Sequence, residues 1–486
     1  MVRRGPGRNR CNPANVAQGG PAHSLLKPAK ARTLANSQGP VAAVSLAEAA
    51  RFWARLGMVS FGGPAAQIAL LFDELVGRRR WLSERRFLHA LQVCLLLPGP
   101  EATQLAIYLG WLMHGVGGGL IAGGLFLLPS VLLLLTLSSV YALWGHLPLL
   151  ASVFWALKPA VLALVLQATW LVGKRTLRHP FQGLLALVAF AGLVLLKWPY
   201  PWLLALAAGS GILVGRFRPS WLNDTGHRNV AKAGGSQDKS APSAYLHDDD
   251  TPPPAHARPS NRRLGLALLA TGLALGVPLL LLIWLQGWSG LLATMARFFT
   301  QVALLSFGGA YAVLPFVSQG AVSHYGWLQP AQMLDGLALG ETTPGPLIMV
   351  VAFVGFMGGW NASGGLGLAW LAGLVVVWFT FLPSFAFILI GAPFVEASRD
   401  KPRLLAPLAA ITAMLTGVIA SLAVVLAGPV LWPQGVAGGV DWLALLLVAL
   451  ALVLLLVARW RVLSVIGAAA LVGVGRWLWL GLSSSR

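Results

Sequence analysis

Serine, glycine and proline recur in one pattern at two places in the chain. Residues 60–63 read Ser-Phe-Gly-Gly and residues 98–100 read Pro-Gly-Pro, and both motifs return 246 positions later, at 306–309 and 344–346. We call the first kind the serine turns and the second kind the proline turns. Glycine lets a backbone approach a ligand closely, and serine adds a hydroxyl donor. Beside the partial positive charge of a helix N-terminus, these groups suit an oxyanion.

The residues of these motifs and their polar neighbours are the candidate ligands of such an anion. They are Ser60, Gly62, Gly63, Gly99, Thr103, Gln104, Lys158, Ser306, Gly308, Gly309, Thr342, Thr343 and Gly345. Lys158 could supply positive charge, or its ammonium could extend to the membrane surface instead. The alternative for the motifs is close helix packing, which glycine and proline often serve in membranes.

Two carboxyl groups beside the proline turns are candidates for proton binding. Glu101 follows the first proline turn and Glu341 precedes the second. An apolar environment disfavours a charged carboxylate, which suits uptake and release of a proton. Capping of a helical hairpin is the alternative role. Asp73, Glu74 and Glu84 lie beside a group of arginines and are expected to form local ion pairs.

The composition predicts an integral membrane protein. Of 486 residues, 57% are hydrophobic and only 10% are charged, which is outside the range of soluble domains. Uninterrupted apolar runs such as 120–141, 264–285, 366–390 and 404–427 are long enough for helices that cross a bilayer. We therefore expect an all-α polytopic membrane protein with about 13 apolar helical segments.

Proline breaks the apolar segments around the motifs into short pieces. The breaks are assigned to Pro64, Pro98, Pro100, Pro344 and Pro346, because proline removes a backbone donor and disfavours helix before it. The pieces 52–59, 65–76, 87–97 and 102–114 are roughly 12–20 Å long as helices. Each pair of pieces is either one broken span or a re-entrant hairpin.

Charge predicts the orientation of the two copies. The net charge of +20 is concentrated in short segments between apolar runs, which indicates membrane orientation rather than nucleic-acid binding. Five arginines follow the first pair of pieces: Arg78, Arg79, Arg80, Arg85 and Arg86. The equivalent connector at 323–330 has no lysine or arginine. The first connector is therefore predicted on the cytoplasmic side of the membrane and the second on the outer side, so that the two halves have inverted topology. Re-entrant hairpins place the other basic loops in the cytoplasm better than broken spans do.

Five segments follow from this reading. They are a basic arm (1–45), a first repeat (46–218), a cytoplasmic linker (219–263), an additional transmembrane helix (264–286) and an inverted second repeat (287–482). An organelle transit peptide is the alternative for the arm. In the linker, His247 beside Asp248–Asp250 could bind a divalent cation, but a solvated charge run is the preferred interpretation.

Nothing in the sequence predicts a cofactor or an enzyme. Cys11 and Cys94 are the only cysteines, and they form neither a disulfide framework nor a metal site. The sequence also lacks a phosphate-binding loop and a nucleophile with a plausible base.

Two stretches resemble the chromate ion transporter family in its two-domain form. They are SFGGPAAQIALLFDELVGRRRWLSERRFLHALQVCLLLPGPEATQLAIYLGW (60–111) and FFTQVALLSFGGAYAVLPFVSQGAVSHYGWLQPAQMLDGLALGETTPGPLIMVVAFVGFMGGW (298–360); LKPAV at 157–161 is similar as well. The resemblance implies export of chromate from the cytoplasm across the bacterial inner membrane, driven by the proton-motive force, which confers chromate resistance. It also implies halves of opposite orientation, with sulfate as a mimic or alternative substrate, and a homodimer is a further expectation.

The second copy departs from the first in two ways. It has Ala310 where Pro64 stands, and it lacks the arginines of the first connector. We therefore expect unequal contributions from the halves. An importer of sulfate or another oxyanion, an anion channel and a membrane enzyme are the alternative functions, and the residues do not fix the transport direction.

Overall fold

The computed structural model describes residues 44–218, 221, 246, 256, 260–307, 310–397 and 405–484. These residues belong to one compact unit, Pro40–Arg486, and form helices and turns without a β-strand. Most of the predicted arm and linker lies outside the described residues, including Cys11, His247 and the neighbouring Asp248–Asp250. Two predicted ligands, Gly308 and Gly309, also lie outside them.

Sixteen helices are found in these ranges. They are α1 (Leu46–Val59), α2 (Gly63–Phe72), α3 (Glu84–Leu96), α4 (Glu101–Trp144), α5 (Pro148–Thr176), α6 (Pro180–Val194), α7 (Tyr200–Phe217), α8 (Asn261–Gln286), α9 (Leu291–Leu304), α10 (Ala310–Ser318), α11 (Pro330–Thr342), α12 (Val350–Ser363), α13 (Leu366–Ala397), α14 (Leu405–Leu431), α15 (Trp442–Leu456) and α16 (Val462–Ser484). Seven of them are long and apolar enough to cross a membrane: α4, α5, α7, α8, α13, α14 and α16. The expectation of an all-α polytopic membrane protein is confirmed.

Local sequence signals explain where the short helices of the first repeat begin. The hydroxyls of Ser45 and Ser83 accept hydrogen bonds from the backbone N–H groups of Glu48 and Arg86, and so cap α1 and α3. Pro64 lies in the first turn of α2, where its missing N–H costs no helical hydrogen bond. At 14 residues or fewer, each of these helices is shorter than the roughly 20 residues that cross a bilayer.

The repetition extends to an unusual backbone feature. Both α2 and α10 continue into π-helical turns, at Asp73–Arg78 and Gln319–His324, again 246 positions apart. After each turn the backbone N–H of a tryptophan donates a hydrogen bond of 2.8 Å to an earlier carbonyl oxygen. Trp81 donates to Leu75, and Trp327 donates to Ala321. The two copies thus share the same path around their connectors.

The half-helices of the first repeat return to the side on which they begin. Arg79 in the connector is 3.7 Å from Glu48 near the start of α1. At the end of the next pair, Nε2 of His114 lies 2.8 Å from the carbonyl oxygen of Val44. Both hairpin ends therefore lie level with the beginning of α1, as the re-entrant interpretation requires.

The second repeat has the same arrangement. The Asn361 side chain, near the end of α12, donates to the carbonyl oxygen of Trp327 in the connector over 2.9 Å. Phe298 of α9 packs edge-on against Trp327, with ring centroids 5.6 Å apart, as Phe52 of α1 does against Trp81 at 4.9 Å. Both repeats therefore contain two helical hairpins whose ends lie on the same side, as the re-entrant interpretation expects.

Glycines allow the chain to reverse tightly after the second hairpin of each repeat. The chain reverses inside α4 at His114 and Gly115, where Gly115 has a φ of 64°. A Cβ on Gly110 would lie 2.5 Å from the carbonyl oxygen of Gly118, so this approach requires glycine. In the second repeat the reversal falls at Gly364, which has a φ of 66°.

Equivalent helices of the two repeats pack antiparallel. Gly119, Gly123 and Gly373 lie against Leu389, Phe385 and Leu135, respectively. The residue number on α13 falls as that on α4 rises, which means that the two helices run in opposite directions. This packing brings the proline turns of the two repeats into one region of the molecule.

Candidate functional site

The proline turn of each repeat lies against the serine turn of the other. The N–H of Gly99 donates to the carbonyl oxygen of Ser306 over 2.6 Å, and the N–H of Gly345 donates to that of Ser60 over 2.7 Å. In one bond the first repeat donates to the second, and in the other the second donates to the first through the equivalent residues. Such reciprocal contacts are typical of two units related by a twofold axis. The motifs paired in the sequence thus meet in two crossed contacts.

The crossed contacts require glycine at their centres. Gly99 and Gly345 have φ values of 134° and 111°, which side-chain-bearing residues rarely adopt. A Cβ on Gly99 would collide with the hydroxyl of Ser384, and one on Gly345 would collide with the hydroxyl of Ser130. Backbone conformation and lack of space both exclude a side chain at these positions.

Ser130 and Ser384 are site residues that the sequence analysis missed. Each is the last residue of a Leu-Pro-Ser motif, in α4 at 128–130 and in α13 at 382–384. The two motifs are 254 positions apart, whereas the serine and proline turns repeat at 246. A gap-free alignment therefore does not pair them, but a search for the tripeptide itself would have found both.

Polar atoms without partners are concentrated at these turns. Within the described residues, seven buried side-chain atoms here have no hydrogen-bond partner: the hydroxyls of Ser60, Thr103, Ser130, Ser306 and Ser384 and the amide oxygens of Gln67 and Gln104. All seven residues are at most 1% exposed. A buried polar group without a partner costs about 1–3 kcal/mol, so this concentration indicates a site for a polar ligand.

The two glutamines have defined orientations. The amide nitrogen of Gln67 donates to the carbonyl oxygens of Ser60, over 3.3 Å, and of Gly345. That of Gln104 donates to the carbonyl of Pro98 over 2.7 Å. Their equivalents 246 positions later are Val313 and Val350, so the first repeat supplies both amides.

Several predicted ligands already use their donors within the protein. The N–H groups of Gly99 and Gly345 form the crossed contacts. The hydroxyl of Thr342 donates to the carbonyl of Leu339 over 2.8 Å, and that of Thr343 donates to the carbonyl of Gly340 over 3.1 Å. Free donors at the turns are therefore mainly serine and Thr103 hydroxyls.

The other predicted residues frame the turns. Gly62 and Gly63 have φ values of 91° and 76° and lie at the start of α2. Pro100 and Pro346 directly precede a helical segment, and Pro98 and Pro344 form the other ends of the proline turns. The prolines thus lie at or next to the helix ends.

The two candidate proton carriers have different environments. Glu341, in the last turn of α11, is 8% exposed and accepts a hydrogen bond of 2.7 Å from the hydroxyl of Tyr311. Glu101 is the first residue of α4 and is half-buried. Both lie within four residues of a glycine of the crossed contacts.

Lys158 is paired with an acidic residue that the sequence analysis missed. Its Nζ lies 3.4 Å from Oδ1 of Asp335, and the hydroxyl of Tyr141 donates to Oδ2 over 2.9 Å. Asp335 is 4% exposed and lies about two turns before the end of α11. The charge of Lys158 is therefore balanced across the two repeats, at a distance from the proline turn. A lone aspartate in the apolar context Met-Leu-Asp-Gly-Leu was the available sequence signal.

The predicted ion pairs beside the arginines are present for two of the three acids. Arg78 lies 3.1 Å from Asp73 and 2.8 Å from Glu74, and Arg79 is 3.7 Å from Glu74. These pairs connect residues within and next to the π-helical turn and place carboxylates beside Arg78 and Arg79.

Comparison with known proteins finds matches in both repeats. A family model described as "Chromate transporter" matches residues 47–212 and 293–474. The chromate transport protein of Pseudomonas aeruginosa is 32% identical over 375 residues, covering 77% of this chain and 79% of the relative. That of Cupriavidus metallidurans is 29% identical over 395 residues, covering 81% and 86%.

A third relative is the probable chromate transport protein of Synechococcus elongatus, which is 26% identical over 387 residues, covering 79% of this chain and 85% of the relative. No solved structure matches the chain. Because the family model covers both repeats, more than half of the sequence, the chain belongs to the chromate transporter family.

Proposed function

We propose that this protein is a secondary transporter that exports chromate across the bacterial inner membrane, driven by the proton-motive force, and so confers chromate resistance. The observation that carries the proposal is the group of five buried, unpartnered hydroxyls at the crossed turns. A tetrahedral oxyanion accepts several hydrogen bonds at once, and hydroxyls can supply them without the cost of a buried full charge.

Helix ends add to the attraction of these hydroxyls for an anion. The N-termini of α2 and α4 begin at the first serine and proline turns, and helix N-termini carry a partial positive charge. The free oxygens of Gln67 and Gln104 can accept a hydrogen bond from a ligand hydroxyl or a proton-bearing oxyanion. The site therefore combines donors and acceptors.

Opposite orientation of the repeats supports alternating access. The antiparallel packing of α4 and α13 and the reciprocal bonds of Gly99 and Gly345 are what two inverted halves would form. Transporters of this construction hold their substrate where the broken helices of the halves meet. Passage of the anion would separate the crossed contacts on one side and then on the other.

Membrane potential favours export of an anion. A dianion that leaves a negative-inside cell gains about 2.3 kcal/mol per charge per 100 mV. Export therefore needs little further coupling, whereas sulfate uptake would need several protons. In this proposal Glu341, held by Tyr311, or Glu101 carries the coupling proton, and Lys158 contributes positive charge to the anion pathway.

The decisive experiment is flux in everted vesicles with an imposed pH gradient. We expect chromate to accumulate in the lumen, which corresponds to the cell exterior, and to be exchanged in counterflow. A different result would favour the sulfate importer: chromate is exchanged in counterflow but does not accumulate, and sulfate moves out of the lumen. Flux that never exchanges against its own gradient would identify a channel, and no flux of either anion would overturn the proposal.

A further inference from the structure

A cavity of about 430 Å³ lies between α1 and the segment formed by α2 and its π-helical turn. Its lining includes Arg55, Arg78, Arg79 and Glu74, together with apolar side chains such as Phe52 and Val59. The function proposed above uses none of these side chains. The cavity joins a charged surface to the helix that ends at the first serine turn.

Within the part of the chain that the structure describes, one of the three arginines has no carboxylate partner. Arg78 is paired with Asp73 and Glu74, and Arg79 with Glu48 and Glu74. Arg79 also lies 4.7 Å from the ring centroid of Phe52. Among the described residues Arg55 has no ion pair, and its side chain is exposed. Arg55 is therefore the residue in this cavity that is available to an anion.

The position of Arg55 links the connector to the site between the repeats. Arg79 lies at the connector end of the cavity and Val59 at the other end, directly before Ser60. Arg55 is five residues before Ser60 on α1, which is roughly 7 Å along the helix axis. An anion held by Arg55 would thus lie about two helical turns, or less, from the first serine turn.

The second repeat does not carry these charged side chains at the corresponding positions. The positions that correspond to Arg55, Arg78 and Arg79 are Gln301, His324 and Tyr325. Glu74 corresponds to Gly320, and the ring of Phe298 lies directly against that glycine. Tyr325 stacks on Trp327 with ring centroids 4.5 Å apart. Aromatic packing therefore occupies the corresponding region on the other side of the molecule.

We propose that the Arg55 cavity is a loading site for the tetrahedral oxyanion on the side of the arginine-rich connector. This inference rests on the proposed transport function. Arg55 attracts the dianion, while the paired Arg78 and Arg79 shape the mouth of the cavity. The anion then moves along α1 to the hydroxyl of Ser60. Because the charge is present on one side only, it raises the apparent affinity for anion that enters from that side.

The test compares Arg55→Gln with the wild type in vesicles of both orientations. Arg55→Gln installs the residue found at the equivalent position of the second repeat. For entry from the connector side we expect the KM for chromate to rise about tenfold, as for loss of one direct charge contact, with little change in the maximal rate. For entry from the opposite side the KM should stay the same.

Two further variants serve as controls. Arg51→Gln removes an exposed arginine one turn away on α1 that does not line the cavity, and its KM should match the wild type. Arg55→Lys keeps the charge and should keep most of the affinity, even if Arg55→Gln lowers protein abundance. The KM advantage of the wild type should also shrink at high salt, because screening weakens exposed charges.

A phosphate of a lipid headgroup has the same chemistry as the free oxyanion. The measurement is therefore repeated in vesicles of purely zwitterionic lipid and in vesicles with added anionic lipid. The proposal expects the effect of Arg55→Gln on KM in both. An effect confined to anionic lipid would assign Arg55 to the headgroup and overturn the loading site. An unchanged KM in a wild-type protein that transports chromate would refute the loading site alone, whereas absent wild-type transport would refute the proposed function.

Discussion

Hydroxyl groups in the apolar helices fall into two classes. Ser138 and Thr380 donate to the carbonyls of Leu134 and Val376, one turn earlier in their own helices, as such residues often do in membranes. Ser130 and Ser384 lie on the same two helices, equally buried, without such a partner. Because their hydroxyls are buried without a hydrogen-bond partner in the protein, they add no stability of the kind that Ser138 and Thr380 supply, which indicates a role in binding.

Removing these two hydroxyls should impair transport without impairing folding. For Ser130→Ala and Ser384→Ala we expect chromate affinity to fall about three- to tenfold each, as for loss of one or two hydrogen bonds. Thermal stability in detergent should be unchanged or slightly raised. Ser138→Ala is the matched control, since it removes a satisfied hydroxyl from the same helix and should leave the affinity unchanged. Equal effects of all three on flux would refute the assignment.

Glu341 provides a test of proton coupling. Glu341→Gln keeps the shape and a hydrogen-bond acceptor for Tyr311 but cannot bind and release the proton. We expect proton-driven chromate flux to fall at least tenfold, the lower range for loss of a proton-transfer group, with normal membrane insertion. Counterflow, which needs no net proton movement, should persist. Unchanged proton-driven flux would leave Glu101 as the remaining candidate.

The Lys158–Asp335 pair can be tested for structural and functional roles separately. Lys158→Met leaves a buried aspartate without its cation, and we expect a loss of stability of about 3 kcal/mol, the lower end for a buried pair because the Lys158 side chain is 24% exposed. Adding Asp335→Leu should restore stability, because it removes the unpaired group. If Lys158 contributes charge to the anion pathway, as proposed, chromate affinity stays low in the stable double variant. Full recovery of affinity together with stability would make the pair purely structural.

At the scale of elements, glycine decides how closely the helices approach. Two neighbouring glycines of α4 have opposite surroundings. A Cβ on Gly123 would meet Ile107 at 2.5 Å and the ring of Phe385 on α13 at 2.6 Å, whereas one on Gly124 would meet nothing within 4 Å. The contact between the repeats thus depends on a single missing methyl group at this point.

This contrast gives a paired stability experiment. Gly123→Ala should lower the free energy of unfolding by about 1–3 kcal/mol through overpacking. Gly124→Ala should be neutral or stabilise by up to about 1 kcal/mol, because alanine favours helix over glycine. Both are read from thermal melts in detergent. Equal stability of the two variants would contradict the antiparallel packing of α4 and α13 described here.

The sequence predicted elements better than contacts. The end of α1 at Val59, the end of α3 within one residue and the reversal at His114 agree with the apolar pieces, because glycine and proline leave clear local signals. The start of α3 was predicted three residues too late. The crossed contacts of Gly99 and Gly345 use backbone atoms, which carry no sequence signal of their own. Asp335 and Lys158 are 177 positions apart, so only the fold could pair them. Ser130 and Ser384 were missed because the spacing of the repeat changes between the turns and the long helices.

At the scale of the whole molecule, orientation in the membrane is the central expectation still to be tested. Ser83 and Gln329 are equivalent residues of the two connectors, directly before α3 and α11. In a chain that lacks Cys11 and Cys94, single cysteines at these positions should react with impermeant reagents from opposite sides, and more slowly at Ser83, which is only 5% exposed. Reaction from the same side would contradict the inverted topology. The same labelling can be repeated with cysteines at Arg80 and at Tyr325, which is one residue from the position equivalent to Arg80.

The amides of Gln67 and Gln104 make the two halves chemically different at the crossed contacts. Each crossed contact has one glutamine amide beside it, and both glutamines belong to the first half. The matching positions of the second half are Val313 and Val350, which have no amide. A chain assembled from two first halves would hold four amides, and one assembled from two second halves would hold none. The halves are therefore not exchangeable, and a single substitution at either glutamine removes an amide from a crossed contact that the other half cannot replace.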